Sequence, residues 1–141
     1  MDKRLLSLLL VSVLSVTLIT GASANSIQPH ASDYLAKYTI AIGPGSNTGD
    51  VVLAYSVVGT GSSTTVGGKK VEVYRSNGSY VTTIVGTTAN GFLRSSTTYH
   101  GGTYTYKGVS GTSYYMVVTV YASNSSGSDS RVITTNTAKA P

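Results

Sequence analysis

The sequence predicts an all-β fold, an antiparallel β-sandwich of about seven to eight strands. Composition is the first sign. Gly, Ser, Thr, Val and Tyr dominate beyond residue 24, and the chain holds 16 Gly and 11 Tyr in 141 residues. Periodicity is the second sign, because no window of about a dozen residues there repeats apolar positions at helical spacing. Punctuation is the third. Short β-rich runs recur between Gly, Ser and Asn clusters at intervals of about ten residues, the rhythm of a sandwich.

The chain opens on a different pattern. Asp2-Lys3-Arg4 is a charged start, Leu5 to Thr20 is apolar apart from Ser and Thr, and Ala22-Ser23-Ala24 offers small residues for cleavage. Together they read as a signal peptide over residues 1–24, its apolar stretch a cleavable helix, with the mature chain beginning at Asn25. The apolar run falls short of the roughly 20 residues that cross a bilayer, so no stable membrane anchor is expected after cleavage. Residues 25–36 read as a flexible leader, in which Asp33 to Lys37 has room for one helical turn. Residues 37–141 read as the sandwich domain. Removing 24 of 141 residues leaves 117, enough for one core that hides roughly two-thirds of the unfolded surface.

The chain has no Cys. It therefore has neither disulfide staples nor a lipid-attachment thiol, and an exported domain without Cys points to a Gram-positive bacterium. Thr137 to Pro141 carries no wall-sorting motif. The expectation is a secreted, extracellular protein, held on the cell wall non-covalently if at all.

Eight runs read as strands: Tyr38–Ile42, Val51–Val58, Lys70–Arg75, Tyr80–Val85, Thr97–His100, Thr103–Lys107, Tyr114–Ala122 and Arg131–Thr135. Asn77-Gly78 accepts the positive φ angles of a type I′ turn. That turn would pair Val71 with Ile84, Val73 with Thr82 and Arg75 with Tyr80. Val71, Val73 and Ile84 then face the core, with Glu72, Tyr74, Val81 and Thr83 on the other side. Val51, Leu53, Tyr55 and Val57 alternate with smaller residues, as do Tyr114, Met116, Val118, Val120 and Ala122 on the longest run. Both runs are apolar enough to sit mid-sheet. Tyr104 and Tyr106 line one side of a half-buried strand.

Gly111-Thr112-Ser113-Tyr114, followed by a long alternating strand, resembles the approach to the F strand of immunoglobulin-like and fibronectin type III sandwiches. There a tyrosine hydroxyl bonds back to nearby backbone, and Tyr114 is the candidate for that tyrosine corner, with Tyr115 second. The chain departs from the immunoglobulin pattern in having no Trp. From about Ile27-Gln28-Pro29 onward it also resembles a group of small secreted single-domain proteins of unknown function from Gram-positive, clostridia-type bacteria. The residues that carry this are Tyr99-His100-Gly101-Gly102, Tyr106 to Tyr115, and Gly127-Ser128-Asp129-Ser130-Arg131. The resemblance implies export and one β-sandwich, and no chemistry.

Catalysis needs positioned acids, bases and nucleophiles. After cleavage the carboxylates are Asp33, Asp50, Glu72 and Asp129, beside His30 and His100. His100 with Asp129 and a nearby Ser can be drawn as a secreted hydrolase, but no Gly-x-Ser-x-Gly elbow accompanies them. His100 reads more simply as a strand-end residue bonding to backbone, and no catalytic residue or cofactor is assigned. Asp50 beside Asn47 falls short of the six to eight oxygens that calcium takes, so no metal is expected. Asp129-Ser130-Arg131 reads as the last hairpin's turn, with Arg131 available to grip an anion or Asp129 capping turn amides. Lys37, Asn136 and Glu72 could be cast as an isopeptide staple, but such groups are rarely buried.

Tyrosine suits contact surfaces, being a rigid ring with a polar tip. Tyr74, Tyr115 and Tyr121, with Arg131, are the candidate binding surface. The formal charge of +5 falls to +4 once Asp2, Lys3 and Arg4 leave. That mild field suits a wall polyanion, a glycan or a protein partner. No basic cluster exceeds Lys69-Lys70, so nucleic acid is not an expected partner. The preferred function is a non-enzymatic binding or cell-surface interaction module.

Overall fold

Alternation of apolar and small polar residues builds two antiparallel sheets whose apolar faces share one core. The computed structural model describes residues 23–29, 32–61 and 63–141. The first 22 residues of the expected signal peptide, with its helix, lie outside them. Among the described residues ten strands run in order: β1 (Ser23–Pro29), β2 (Leu35–Pro44), β3 (Asp50–Gly59), β4 (Thr65–Arg75), β5 (Tyr80–Val85), β6 (Leu93–Ser95), β7 (Tyr99–Lys107), β8 (Ser113–Asn124), β9 (Gly127–Thr134) and β10 (Ala138–Lys139). Four form a sheet in the order β1-β2-β3-β7. The other six centre on β4 and β8: β5 and β6 pair successive parts of β4, and β9 and β10 pair successive parts of β8.

Residues 25–36, read above as a leader, carry most of β1 and the start of β2. Leu35 is fully buried, and Asp33 to Lys37 enters a strand instead of a helical turn. The two short runs around His100 and Tyr104 are one strand, because β3 pairs continuously with it through Gly101 and Gly102. Three strands, β1, β6 and β10, had no signal in the alternation.

The core follows the alternation closely. Val51, Leu53, Tyr55 and Val57 are buried on β3, and Tyr114, Met116, Val118, Val120 and Ala122 on β8. Tyr38, Ile40 and Ile42 of β2 and Val66, Val71 and Val73 of β4 complete it, with Phe92 from the connection before β6.

The β4–β5 hairpin departs from expectation at its tip. Val71 pairs with Ile84 and Val73 with Thr82, but Tyr74 meets Tyr80 and Val81 is an extra residue. Gly78 alone takes a positive φ, +89°, while its N–H donates to the Arg75 carbonyl at 2.9 Å and Arg75 N–H donates to Ser79. This is a type I turn closed by a left-handed glycine, the three-residue alternative to type I′. Asn77 Oδ1 accepts from the Ser79 N–H at 2.9 Å, which holds Asn77 out of the left-handed region.

Candidate functional site

On the solvent side of the six-stranded sheet, the hairpin bulge assembles a row of rings. With Val81 as the additional residue, its side chain packs against the core and Tyr80 turns outward beside Tyr74. In the unbulged register Tyr80 would have shared the core face with Ile84, which is why the alternation missed it. Tyr74 sits opposite Tyr115 of β8, and their rings stack with centroids 5.2 Å apart and planes 7° from parallel. Tyr80 meets Tyr74 edge-on at 5.8 Å and 73°, and its hydroxyl shares a 2.9 Å hydrogen bond with Thr83. Offset stacking and edge contact are the two favoured ring geometries. Three adjacent strands thus present one ordered aromatic row. Tyr80 is 57 % exposed, so the row is open to a partner.

The face continues along the strands. Lys70 and Glu72 form an ion pair at 3.3 Å beside Val117, and Val85 and Val132 stand 63 % and 68 % exposed on the flanking strands. Tyr121 lies further along β8. A second bulge, at Lys69, follows from the pairing of Gly68 with Val120 and Lys70 with Thr119. It lifts Lys69 Nζ over the Tyr121 ring, 4.6 Å from its centroid, a cation–π contact. Gly67, at φ +142°, has no room for a side chain against the Phe92 carbonyl. A shallow depression of about 330 Å³ lies between Lys69, Lys70, Val85, Thr119 and Ser130.

Arg131 does not belong to this face. The last hairpin turns at Asn124 to Gly127, where Asn124 Oδ1 accepts from the Ser126 and Gly127 N–H groups, so Asp129 to Arg131 are strand residues. Arg131 pairs with the buried Val120 and therefore points to the opposite side from Tyr121, its Nη1 donating to the Ser130 carbonyl at 2.9 Å. Asp129 shares that side and caps no turn amide. Its Oδ2 accepts from the distant Tyr34 N–H at 3.1 Å.

His100 and Asp129 serve different partners. His100 Nε2 lies 2.6 Å from the Gly91 carbonyl. A carbonyl only accepts, so Nε2 carries the proton. The Tyr55 hydroxyl donates to the same carbonyl at 3.3 Å, with its ring stacked on Phe92 at 5.7 Å and edge-on to His100 at 5.9 Å. This cluster fastens the 86–92 connection to β3 and β7. Burial raises the Tyr55 hydroxyl pKa above 10.0.

Asp50 is buried, with Oδ2 accepting from Asn47 Nδ2 at 3.1 Å and Oδ1 3.8 Å from Lys107 Nζ. No group of three His, Asp or Glu among the described residues is arranged to hold a metal. Lys37 pairs with Val58 on the outside of the four-stranded sheet, while Glu72 faces out from the other sheet, so the imagined isopeptide trio is dispersed. Comparison with protein-family models, with curated proteins and with solved structures gives no match.

Proposed function

We infer that this protein is a secreted, non-enzymatic interaction module with an immunoglobulin-like sandwich fold, and that its six-stranded sheet carries the contact face. The strand order supports the fold reading. β2, β3 and β7 follow one another as A, B and E do, and β5, β4, β8 and β9 as C′, C, F and G do. The hydrogen bond from Val109 N–H to the Tyr114 hydroxyl is of the tyrosine-corner kind. The export reading rests on the leader pattern at the N-terminus.

The observation that carries the function is the Tyr80–Tyr74–Tyr115 row on the solvent side, flanked by the exposed Val85 and Val132. Rings already held by one another lose little side-chain entropy on binding, and tyrosine is enriched at contact surfaces. Aliphatic neighbours beside the rings suit a protein surface better than a sugar or a wall polyanion. The test is retention of the purified protein on immobilised extracellular proteins, polysaccharides and cell wall, compared with the Tyr74→Ser/Tyr115→Ser variant. Retention on a protein that the double substitution abolishes supports this reading. Retention unchanged by the substitutions, or breakdown of the immobilised material, overturns it.

A further inference from the structure

The four-stranded sheet ends on β7, whose far edge has no strand partner among the described residues. The bonds from Gly59 N–H to Thr98 and from Gly108 N–H to Gly49 fix which residues point across that edge. Even-numbered residues of β7 bond to β3, because hydrogen-bonded pairs alternate along an antiparallel ladder. The odd ones, Tyr99, Gly101, Thr103, Thr105 and Lys107, therefore aim N–H and C=O away from β3. Tyr99 is already served. Thr97 Oγ1 accepts from its N–H at 3.3 Å and donates to its carbonyl at 3.0 Å. That leaves a run from Gly101 to Lys107 with open backbone and exposed Thr103, Thr105 and Lys107 side chains. No proline or bulge blunts it, the usual protections of a sheet edge.

We propose that this edge pairs with the same edge of a second copy of the chain, antiparallel about a two-fold axis at Tyr104, to make one continuous eight-stranded sheet. One register satisfies every open group while leaving the capped Tyr99 outside. It sets Gly101 opposite Lys107 of the partner and Thr103 opposite Thr105, as hydrogen-bonded pairs. Gly102 then lies opposite Tyr106, and Tyr104 opposite its own copy, in the closer, non-bonded positions. The sequence suits that register. Two threonines meet across the seam, a favourable cross-strand pair. The edge's one formal charge, Lys107, faces a glycine and not another lysine. An isologous contact of this kind closes at two copies. It lies on a different sheet from the tyrosine row, so it stands or falls separately from the binding reading.

Sedimentation equilibrium of the purified protein should show a monomer–dimer equilibrium. Thr103→Pro should shift it to monomer with an unchanged circular dichroism spectrum, since the lost N–H points away from β3. Should the proline unfold the protein, Thr103→Lys replaces it, placing like charges diagonally across the seam. The chain has no other Cys, so Tyr104→Cys should oxidise to a covalent dimer, because directly opposed non-bonded residues lie within disulfide reach. The exposed Val109→Cys should not. A protein that stays monomeric at every concentration, or a dimer that survives both Thr103 variants, would overturn the proposal. Loss of the dimer on Tyr74→Ser/Tyr115→Ser would do the same, since those rings lie on the other sheet.

Discussion

The backbone N–H of Val109 donates to the buried Tyr114 hydroxyl at 2.9 Å, tying the β7–β8 connection to the start of β8. The ring fills the space that Gly108 leaves open, since a side chain there would come within 2.7 Å of Tyr114 Cε2. Tyr106 closes the other side edge-on at 5.2 Å. The C-terminus completes the corner, with Gly111 N–H bonding to Ala140 and Ala140 N–H to Thr112.

Tyr114→Phe removes one hydrogen bond and leaves the packing, so it should cost about 1 kcal/mol. Gly108→Ala drives a methyl into a ring that is walled in, and should cost more than the lost hydroxyl. Urea unfolding of the two variants checks the order. If Gly108→Ala proves the milder change, the ring is not confined as described.

Burial along β3 and β9 sets a contrast between an inside and an outside residue. Leu53 is fully buried, and Leu53→Ala should lose about 2–5 kcal/mol through the cavity it opens. Val132 faces solvent on β9, and Val132→Ser should stay within about 0.5 kcal/mol of the parent. Comparing chemical-denaturation midpoints of both with the parent tests the assignment of faces.

Those faces were legible because the pleat has a period of two, and Val51 to Val57 and Tyr114 to Ala122 keep it without interruption. What escaped the pattern was set by partners distant in sequence. The stretch from Gly127 to Ser130 has the composition of a loop, yet β8 supplies a ladder for it, and pairing overrides weak strand preference. That moves Arg131 from the expected start of the last strand, beside a turn, to the middle of β9 and onto the wrong side for the tyrosine face. Likewise Val81 bulges out of β5 opposite the Val73–Tyr74 step, so alternation shows Tyr74 and Tyr115 of the three-ring row but not Tyr80. The three-residue β6 exists only because the first residues of β4 offer it a partner.

Asp129 makes acid stability depend on the contact between β9 and the start of β2. The Ser32 hydroxyl holds its carboxyl below the usual value of 3.8. Desolvation opposes this, and the Tyr34 N–H and the Arg131 charge add to it. Folded Asp129 thus gives up its proton at lower pH than the unfolded side chain. Its stabilisation is complete above pH 3.8 and is lost as pH falls through the lower folded value. Asp129→Asn keeps an acceptor for Tyr34 but cannot titrate. It should flatten the stability profile below about pH 4 and leave its shape at neutral pH unchanged. Thermal melts across that range check this, and an unaltered acid limb would remove Asp129 from the account.

At the alkaline end the tyrosines on the core side of β3 and β7 take over. Burial raises Tyr55, Tyr104 and Tyr106 above 10.0. Tyr106 adds to the effect on Tyr104, and Tyr114 adds to that on Tyr106, where Arg75 works against it. A phenol whose folded pKa is raised holds its proton after the unfolded chain has lost it. Its contribution is therefore full below pH 10.0 and drains away as pH climbs through the folded value. Tyrosinate absorbance of the native protein should have a late-rising limb, and Tyr55→Phe, Tyr104→Phe and Tyr106→Phe should each shrink it. In strong denaturant the limb should vanish. Tyr104 and Tyr106 lie on the β7 edge, so their share of the limb should also move further up wherever that edge is covered, because covering it deepens their desolvation. A native titration that overlays the denatured one would show that the rings around β7 are wetter than their contacts with Phe92 and Tyr114 imply.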